Sequence, residues 1–232
     1  MMERIYNKAL IHSYVEMYKL NNLFSEFSDE DIQLYRFYKG EMIYITGEEI
    51  LNMYFIVEGK VKIYTNTIDD KRLILRFQKA VAVIGDIEFI DNDPALHSVE
   101  ASSDCIAIGI SYKTIREKLG SNPIFLQYLL ESVTSKFRTK TNSSINLLYP
   151  VEVRFASYLL STSNEGKDSS FQEEMKNISL TDISEMIGTS YRHLNRVITK
   201  LSNESIIKRE NGVIHIQDIE KLKEIARDNI YE

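Results

Sequence analysis

The stretch "SLTDISEMIGTSYRHLNRVITKL", residues 179–201, decides how the C-terminal part of the chain is organised. Ser179 with Asp182 three residues later is typical of a capped helix start. Gly188 falls where a tight turn must follow that helix. The apolar residues recur at helical spacing on one face of each segment: Ile183, Met186 and Ile187, then Leu194, Val197, Ile198 and Leu201. The stretch therefore predicts two short helices that pack through their apolar faces.

The opposite face of the second predicted helix carries side chains suited to DNA. Thr189 or Ser190 can cap this helix at its start. Arg can bind guanine edges through two hydrogen bonds, Asn can read adenine, and Tyr and Thr suit phosphates. In a helix-turn-helix, the N-terminal part of such a face enters the major groove. The predicted DNA-binding residues here are Thr189, Ser190, Tyr191, Arg192, Asn195, Arg196 and Thr199.

A hairpin is predicted directly after this helix. "SIIKRENGVIHI", residues 205–216, gives two apolar strands around Asn211-Gly212, a strong hairpin signal. A hairpin in this place is typical of the wing of a winged helix, where Lys208 and Arg209 would contact phosphates. Between residues 189 and 209, five bases stand against one acid, which favours DNA. The alternative is a plain helical hairpin with a solvated polar face.

From Phe37 to Ile110 the pattern changes to short strands rich in Ile, Val, Tyr and Phe. The strand segments are "EMIYIT", "MYFIVEG", "KVKIYTN", "RLILRF", "AVAVIG" and "CIAIGIS". Little helix lies between them, so the sequence predicts a sandwich or barrel.

A long helix is predicted after Pro123, over "IFLQYLLESVTSKFRTKTNSSINLLY". Its apolar positions would form a stripe that a partner helix covers, which predicts a homodimer. The alternative is a helix that packs only on its own barrel. Tyr149-Pro150 is the predicted domain joint, and the polar residues 161–177 are a predicted loop. The stripe comprises Ile124, Leu126, Leu129, Leu130, Val133, Phe137, Ile145 and Leu148.

Composition narrows the classes of function. The 232 residues carry a net charge of −6, which argues against indiscriminate binding to polyanions but leaves room for a local basic surface. We expect a cytoplasmic protein with no membrane partner, because no apolar run could cross a bilayer. Cys105 is the only cysteine and is predicted to be buried. No nucleophile elbow, phosphate loop or metal-ligand spacing is present, so we predict no enzyme, no metal site and no cofactor.

A β domain, a long helix and a winged helix in this order resemble the Crp/Fnr superfamily of bacterial transcription factors. "KGEMIYITGEEILNMYFIVEGKVKIY" is similar to the family's cyclic-nucleotide-binding-type barrel. "VEVRFASYLL" is similar to the helix after the dimerisation helix, and "DISEMIGTSYRHLNRVITKL" to the helix-turn-helix. The resemblance implies an α+β fold with an N-terminal helical segment and a jelly-roll-type effector barrel over 1–120, a dimerisation helix over 121–149 and a winged helix-turn-helix over 150–232. It also implies a two-fold symmetric DNA operator, RNA polymerase as a partner, and a possible small-molecule effector.

One departure from the family concerns the cassette that holds the cyclic phosphate in its cAMP-binding branch. "GDIEFIDNDPALHSVEA", residues 85–101, keeps the glycine start in Gly85, Asp86 and Ile87. Ala95 and Leu96, however, occupy the positions of the family's Arg and Ser/Thr. A buried phosphate needs a charge-assisted donor, so we predict no tight cAMP or cGMP binding. The acids nearby form a predicted solvated loop, and any ligand would be neutral, cationic or held by apolar and backbone contacts.

The second departure lies in the recognition helix. Arg196 corresponds to the family's base-reading Arg, but Arg192 replaces a Glu that accepts a hydrogen bond from cytosine. This exchange of an acceptor for a donor should change the preferred base. We therefore expect a half-site that differs from the TGTGA and TTGAT types.

Three hypotheses for the β domain remain open. In the first, an effector between barrel and long helix contacts the cassette, including His97, and the polar residues Thr139 and Thr141. In the second, the β domain is a scaffold for dimerisation and polymerase contact without a ligand. In the third, His97 with Cys105 ligates a haem or senses redox state, although an ordinary strand histidine is the simpler interpretation.

Overall fold

The computed structural model of the protein describes residues 2–69, 71–163, 178–210 and 213–227, apart from the side chains of residues 142 and 143. Two compact units are present: Met1–Thr65 with Arg76–Phe137, and Asn66–Leu75 with Arg138–Glu232. Across the described ranges, no helix combines the length and apolarity that a membrane span requires. The predicted turn at Asn211-Gly212 and all but the first three residues of the predicted loop 161–177 lie outside these ranges.

The chain up to residue 146 contains nine described strands, with five described helices placed between or after them. Its strands are β1 (Glu3–Ile5), β2 (Ile32–Phe37), β3 (Met42–Tyr44), β4 (Asn52–Glu58), β5 (Lys60–Asn66), β6 (Arg72–Lys79), β7 (Ala82–Ile84), β8 (Ser98–Ala101) and β9 (Cys105–Ser111). Its helices are α1 (Lys8–Met17), α2 (Asn21–Phe24), α3 (Asp86–Asp91), α4 (Tyr112–Leu119) and α5 (Pro123–Asn146).

These strands form two sheets, with the orders β1-β2-β9-β4-β7 and β3-β8-β5-β6. Leu34 and Phe55 both pair with Ile108, so β9 lies between β2 and β4 in antiparallel register. All three side chains are buried in one apolar core. The predicted jelly-roll-type β domain is confirmed, but its described strands form two separate sheets and not one closed ring of hydrogen-bonded strands.

The β-structure starts earlier than predicted. We expected it from Phe37, but β2 begins at Ile32, and β1 pairs with it from Glu3 to Ile5. The alternation that marks a strand is weak in β2 because the adjacent residues Leu34 and Tyr35 are both buried. β1 has only three residues, which is too short for a periodic signal.

The predicted long helix is confirmed as α5, but its apolar residues lie on two faces. Phe125 and Leu129 are buried in the core of the first unit. Leu126 and Leu130, each one residue further along, are exposed. Leu129 was predicted as part of the partner-facing stripe and instead packs on its own β domain, so the stripe is narrower than predicted.

The second unit contains three consecutive described helices, a two-stranded sheet and a terminal helix. These are α6 (Val151–Thr162), α7 (Leu180–Met186), α8 (Tyr191–Asn203), β10 (Ile207–Glu210), β11 (Val213–Ile216) and α9 (Ile219–Ala226). α9, which was not predicted, packs against α6. Phe155 of α6 and Leu222 of α9 are buried, so the two helices close the core on which the reading helices lie.

Candidate DNA-binding surface and effector site

The turn between α7 and α8 is held in place at both ends. Ser179 caps α7, since its Oγ accepts a hydrogen bond from Asp182 N at 3.0 Å. Gly188 has a φ of +66°, a left-handed conformation that favours glycine. Arg154 of α6 donates to the carbonyl of Ile187 and, at 3.3 Å, to that of Gly188. The buried guanidinium thus fixes the turn that sets the direction of α8. Sequence reasoning missed it, although an arginine on the inward face of α6 was a usable signal.

The apolar face of α8 docks as the sequence predicted. Leu194, Val197, Ile198 and Leu201 are all buried, as are Ile183, Met186 and Ile187 from α7 and its end. Ser190 is the N-cap, because its side chain accepts a hydrogen bond from His193 N at 3.2 Å. The Thr189 amide donates to Ser184 O at 2.9 Å. These two residues therefore hold the start of the helix, whatever contacts they also make with DNA.

Five of the predicted DNA-binding residues form one continuous surface, which we call the reading face. They line a single shallow concavity of about 480 Å³: Tyr191, Arg192, Asn195, Arg196 and Thr199. Their spacing repeats at three and four residues, so they share one side of the helix. The hydroxyl of Thr199 donates to the Asn195 carbonyl at 2.9 Å. The reading face is opposite the buried face, and its polar groups are available to an external partner.

Ion pairs divide the basic residues of this region into two groups. Lys200 contacts Glu152 of α6 at 2.8 Å, and Lys208 pairs with Glu210 on its own strand. No acid in the described part of the chain forms an ion pair with Arg192, Arg196 or Arg209. The three arginines are therefore available to bind an anionic partner. Lys200 and Lys208 contribute less to such binding, because each is already paired with an acid.

The predicted wing strands are confirmed as β10 and β11, which pair in antiparallel register. Lys208 lies opposite His215 and Arg209 opposite Ile214. Both basic side chains are exposed.

The predicted effector cassette forms a tight structure around Gly85. This glycine has a φ of +85° and immediately precedes α3. A Cβ at this position would lie 2.6 Å from the Tyr44 hydroxyl and 2.8 Å from that of Tyr112. Tyr112 also donates a hydrogen bond to the Gly85 carbonyl. Two tyrosines therefore fix the backbone at the start of α3, where Asp86 and Ile87 follow.

A buried ion pair between α3 and α5 dominates this region. Lys136 of α5 binds the Asp86 carboxylate and donates to the Val83 carbonyl at 2.9 Å. Ser132, one turn earlier on α5, donates to the other Asp86 oxygen at 2.7 Å. The side chains of Lys136 and Asp86 are only 6% and 1% exposed. We call Asp86, Ser132 and Lys136 the cassette cluster.

Sequence reasoning missed Ser132 and Lys136. Phe125, Leu129, Ser132 and Lys136 follow one another at intervals of four, three and four residues, which is the spacing of a single helix face. The first two residues of this series are core residues. A lysine that continues a core face needs a buried counter-ion, and an acid at 86–93 was the available partner.

The charges around the cassette cluster balance. Burial lowers the pKa of the Lys136 ammonium below its ordinary value, and Asp86 acts in the opposite direction. Arg76 and Glu88 are close enough to act on the same ammonium. Glu88 is buried and accepts a hydrogen bond from Leu96 N at 3.3 Å. The predicted solvated acidic loop is therefore wrong for Asp86 and Glu88, although Asp91 and Asp93 are exposed. An excess of negative charge that would select a cationic ligand is not present among the described residues of this cluster.

The remaining predicted effector residues differ in their burial and in the unit to which they belong. Ala95 is buried and accepts a backbone hydrogen bond from Gly47 N at 2.8 Å, whereas Leu96 is exposed. His97 directly precedes β8, so it is not within the strand as expected. Thr139 and Thr141 lie on the part of α5 that belongs to the second unit.

Among the described residues, no group of three or more His, Cys, Asp or Glu side chains could hold a metal ion. Cys105 is buried, as predicted, and its Sγ donates to the Lys60 carbonyl at 3.2 Å. Burial raises the pKa of this thiol, which disfavours the reactive thiolate.

Comparison with known families decides the classification of this fold. The family model for the cyclic nucleotide-binding domain matches residues 34–122, and the one for the Crp-like helix-turn-helix domain matches residues 153–225. The chain belongs to the Crp/Fnr family. It is a Crp/Fnr-type transcription regulator with a DNA-binding helix-turn-helix domain.

Curated relatives of this Crp/Fnr protein are transcription regulators and not enzymes. The regulatory protein YeiL of Escherichia coli O157:H7 is 25% identical over 186 residues, which cover 79% of this chain and 81% of YeiL. The cAMP-activated global transcriptional regulator CRP of Haemophilus influenzae is 23% identical over 171 residues, or 72% of this chain and 76% of the relative.

Solved structures show the same fold. A Crp-family transcriptional regulator from Thermus thermophilus superposes with a TM-score of 0.67 at 19% identity, over 85% of this chain and 98% of that one. The c-di-GMP-responsive global regulator CLP of Xanthomonas campestris gives a TM-score of 0.70 at 14% identity, over 88% and 98%.

Proposed function

We propose that this protein is a homodimeric, sequence-specific transcription regulator that binds a two-fold symmetric DNA operator through the reading face of α8. RNA polymerase is the expected partner on DNA, and the cytoplasm the expected location. The domain division is residues 1–120 for the β domain, 121–149 for the dimerisation helix and 150–232 for the winged helix-turn-helix. The β domain of this regulator does not bind cAMP or cGMP tightly.

One observation carries the DNA-binding proposal. The reading face presents two arginines without acidic partners in the described chain, and Asn195 lies in the same concavity. Unpaired guanidinium groups bind guanine edges and phosphates without first breaking an internal ion pair. The test is selection of duplexes from random double-stranded DNA with the purified protein, followed by fluorescence anisotropy with the recovered sequence. A symmetric motif bound in the nanomolar range supports the proposal. A selection that enriches no motif contradicts it.

The exposed face of α5 supports the homodimer. Leu126, Leu130, Val133 and Phe137 follow one another at intervals of four, three and four residues, the heptad spacing of a coiled-coil seam. Leu130 is 67% exposed, although the next face of the same helix is buried in the protein's own core. Exposure of several large apolar side chains in one stripe is costly in water. A second copy of α5 would cover them.

The cassette cluster supports the lack of cyclic-nucleotide binding. The buried cation of the cluster is already committed to Asp86 and the Val83 carbonyl. A phosphate would bring a further negative charge next to Asp86, and Ala95 and Leu96 offer it no side-chain donor. An uncompensated buried charge costs several kcal/mol.

The cassette cluster also favours a second candidate function, that of a regulator which binds DNA without an effector. The contacts between α3 and α5 are completed by the protein's own side chains. Under this hypothesis, the purified protein has the same operator affinity with and without a small-molecule extract of its native cell. A change of tenfold or more on addition of the extract would contradict it.

A further inference from the structure

We infer that Arg192 reads a guanine, so that each DNA half-site carries two guanines, one bound by Arg192 and one by Arg196. This inference rests on the proposed function and specifies the DNA sequence that the reading face recognises.

The chemistry of the side chain determines the base. A guanidinium presents five N–H donors and no acceptor. In the major groove, guanine offers two acceptors, N7 and O6. Cytosine presents a donor, thymine one acceptor beside a methyl group, and adenine one acceptor beside a donor. Only guanine can therefore satisfy both arms of the fork at once. Arg192 is exposed and has no acid of the described chain to compete for it.

The helix geometry sets the spacing. Arg192 and Arg196 are four residues apart in α8 and line the same concavity, so their side chains project from one side in successive turns. At 1.5 Å per residue they are separated by about 6 Å along the helix axis. Base pairs follow one another at about 3.4 Å, so the two guanines should be about two base-pair steps apart. The guanine of Arg192 stands where the family's Glu accepts from cytosine, so the half-site still differs from TGTGA. Asn195, between them in the concavity, is placed for an adenine in the same stretch.

Position in the helix favours base contact over phosphate contact. Arg192 is the second residue of α8, directly after the Ser190 cap and Tyr191. The N-terminal residues of a reading helix are those that reach base edges. Arg196 lies one turn later on the same side of the helix.

The experiment compares the motifs selected from random double-stranded DNA by the wild type, Arg192→Lys and Arg192→Ala. Lysine keeps the charge and can still donate to guanine but loses the fixed fork, so it should weaken guanine reading, whereas alanine removes it. Besides the guanine read by Arg196, we expect the wild type to prefer guanine at the position read by Arg192, roughly 5- to 150-fold over the other bases. Arg192→Ala should lose this preference, Arg192→Lys should weaken it, and both should keep the guanine read by Arg196. Thermal unfolding should be unchanged, because the side chain is exposed.

Arg209→Ala is the matched control, since Arg209 is an exposed arginine on β10, outside the reading face, with no ion pair to an acid of the described chain. It should select the wild-type motif. If Arg192→Ala also selects the unchanged wild-type motif, or if the wild-type motif holds only one guanine, the inference is overturned while the proposed function stands. If the wild type selects no motif, the proposed function itself fails.

Discussion

The ammonium of Lys136 on α5 and the carboxylate of Asp86 on α3 form an ion pair that is almost completely buried in the first unit. Asp86 belongs to the segment that the sequence marks as an acidic cassette, and Lys136 belongs to the long helix. The pair therefore joins two segments fifty residues apart and makes the position of α5 on the β domain depend on charge as well as on apolar packing.

Lys136→Met should destabilise the first unit by about 3–5 kcal/mol, because it leaves a buried, unpaired Asp86. Urea unfolding followed by circular dichroism measures the change in the free energy of unfolding. Hydrogen exchange should show the loss of amide protection in α3 and α5. Lys200→Met is the matched control, since its pair with Glu152 is exposed, and it should cost less than about 1 kcal/mol. The double variant Lys136→Met with Asp86→Asn should lose less than the sum of the two single variants. Additive losses would show that the two charges do not stabilise each other.

Titration calorimetry with cAMP and with cGMP should give no measurable binding heat at micromolar protein concentration. The buried cation near Gly85 is engaged by Asp86, so a cyclic phosphate lacks a free charge-assisted donor. Affinity in the micromolar range or tighter would contradict this expectation.

Leu130→Glu should weaken the homodimer at least tenfold, because it places a charge in the exposed heptad stripe of α5. Sedimentation equilibrium measures the dissociation constant. Leu51→Glu provides the control, because Leu51 is 66% exposed against 67% for Leu130 but lies outside that helix. If both variants sediment as the wild type does, the stripe is not the dimer interface.

Arg209→Ala should reduce the salt dependence of DNA binding more than Lys208→Ala. Each phosphate contact contributes about 0.9 to the slope of log K against log salt concentration. Lys208 must exchange its Glu210 partner for a phosphate, whereas Arg209 has no such partner in the described chain. Anisotropy titrations at several salt concentrations give the slopes. A larger change for Lys208→Ala would reverse this ranking.

Acid should destabilise the first unit partly through Asp31. Its hydrogen bond from Lys118, supported by Ser28, lowers the pKa of the carboxyl to about 2. Because the folded-state pKa is depressed, its contribution is fully present above the unfolded value and is lost as pH falls from about 4 through 2. Urea midpoints measured at pH 5, 3.5 and 2.5 should fall less steeply for Asp31→Asn than for the wild type. Parallel curves would exclude this role.

Sequence periodicity predicted the parts of the fold that bury continuous apolar faces. Leu194, Val197, Ile198 and Leu201 repeat at helical spacing, and all four are buried. β1 was missed because its three residues carry no period. The cassette cluster was missed for a different reason: Asp86 and Lys136 are fifty residues apart, and their attraction depends on a three-dimensional proximity that no local pattern contains.

For the DNA-binding surface, too, the sequence predicts which residues lie together but not how their charges are paired. The members of the reading face follow from helical spacing, so they were predicted together. The availability of each charge does not follow from spacing. Lys208 and Arg209 are adjacent and look equivalent in the sequence, but only the pairing of Lys208 with Glu210 reveals that they differ.

Arg154 fixes the turn before the reading helix, the apolar face of α8 is buried, and Ser190 caps the start of the helix. Exposed side chains of the reading face can therefore be replaced without disturbing the contacts that hold α8 in place. During evolution, a duplicated copy of this regulator could acquire a new set of target promoters through a few substitutions at exposed positions, at little risk to folding. The same separation makes α8 a practical place to graft a different DNA preference by design.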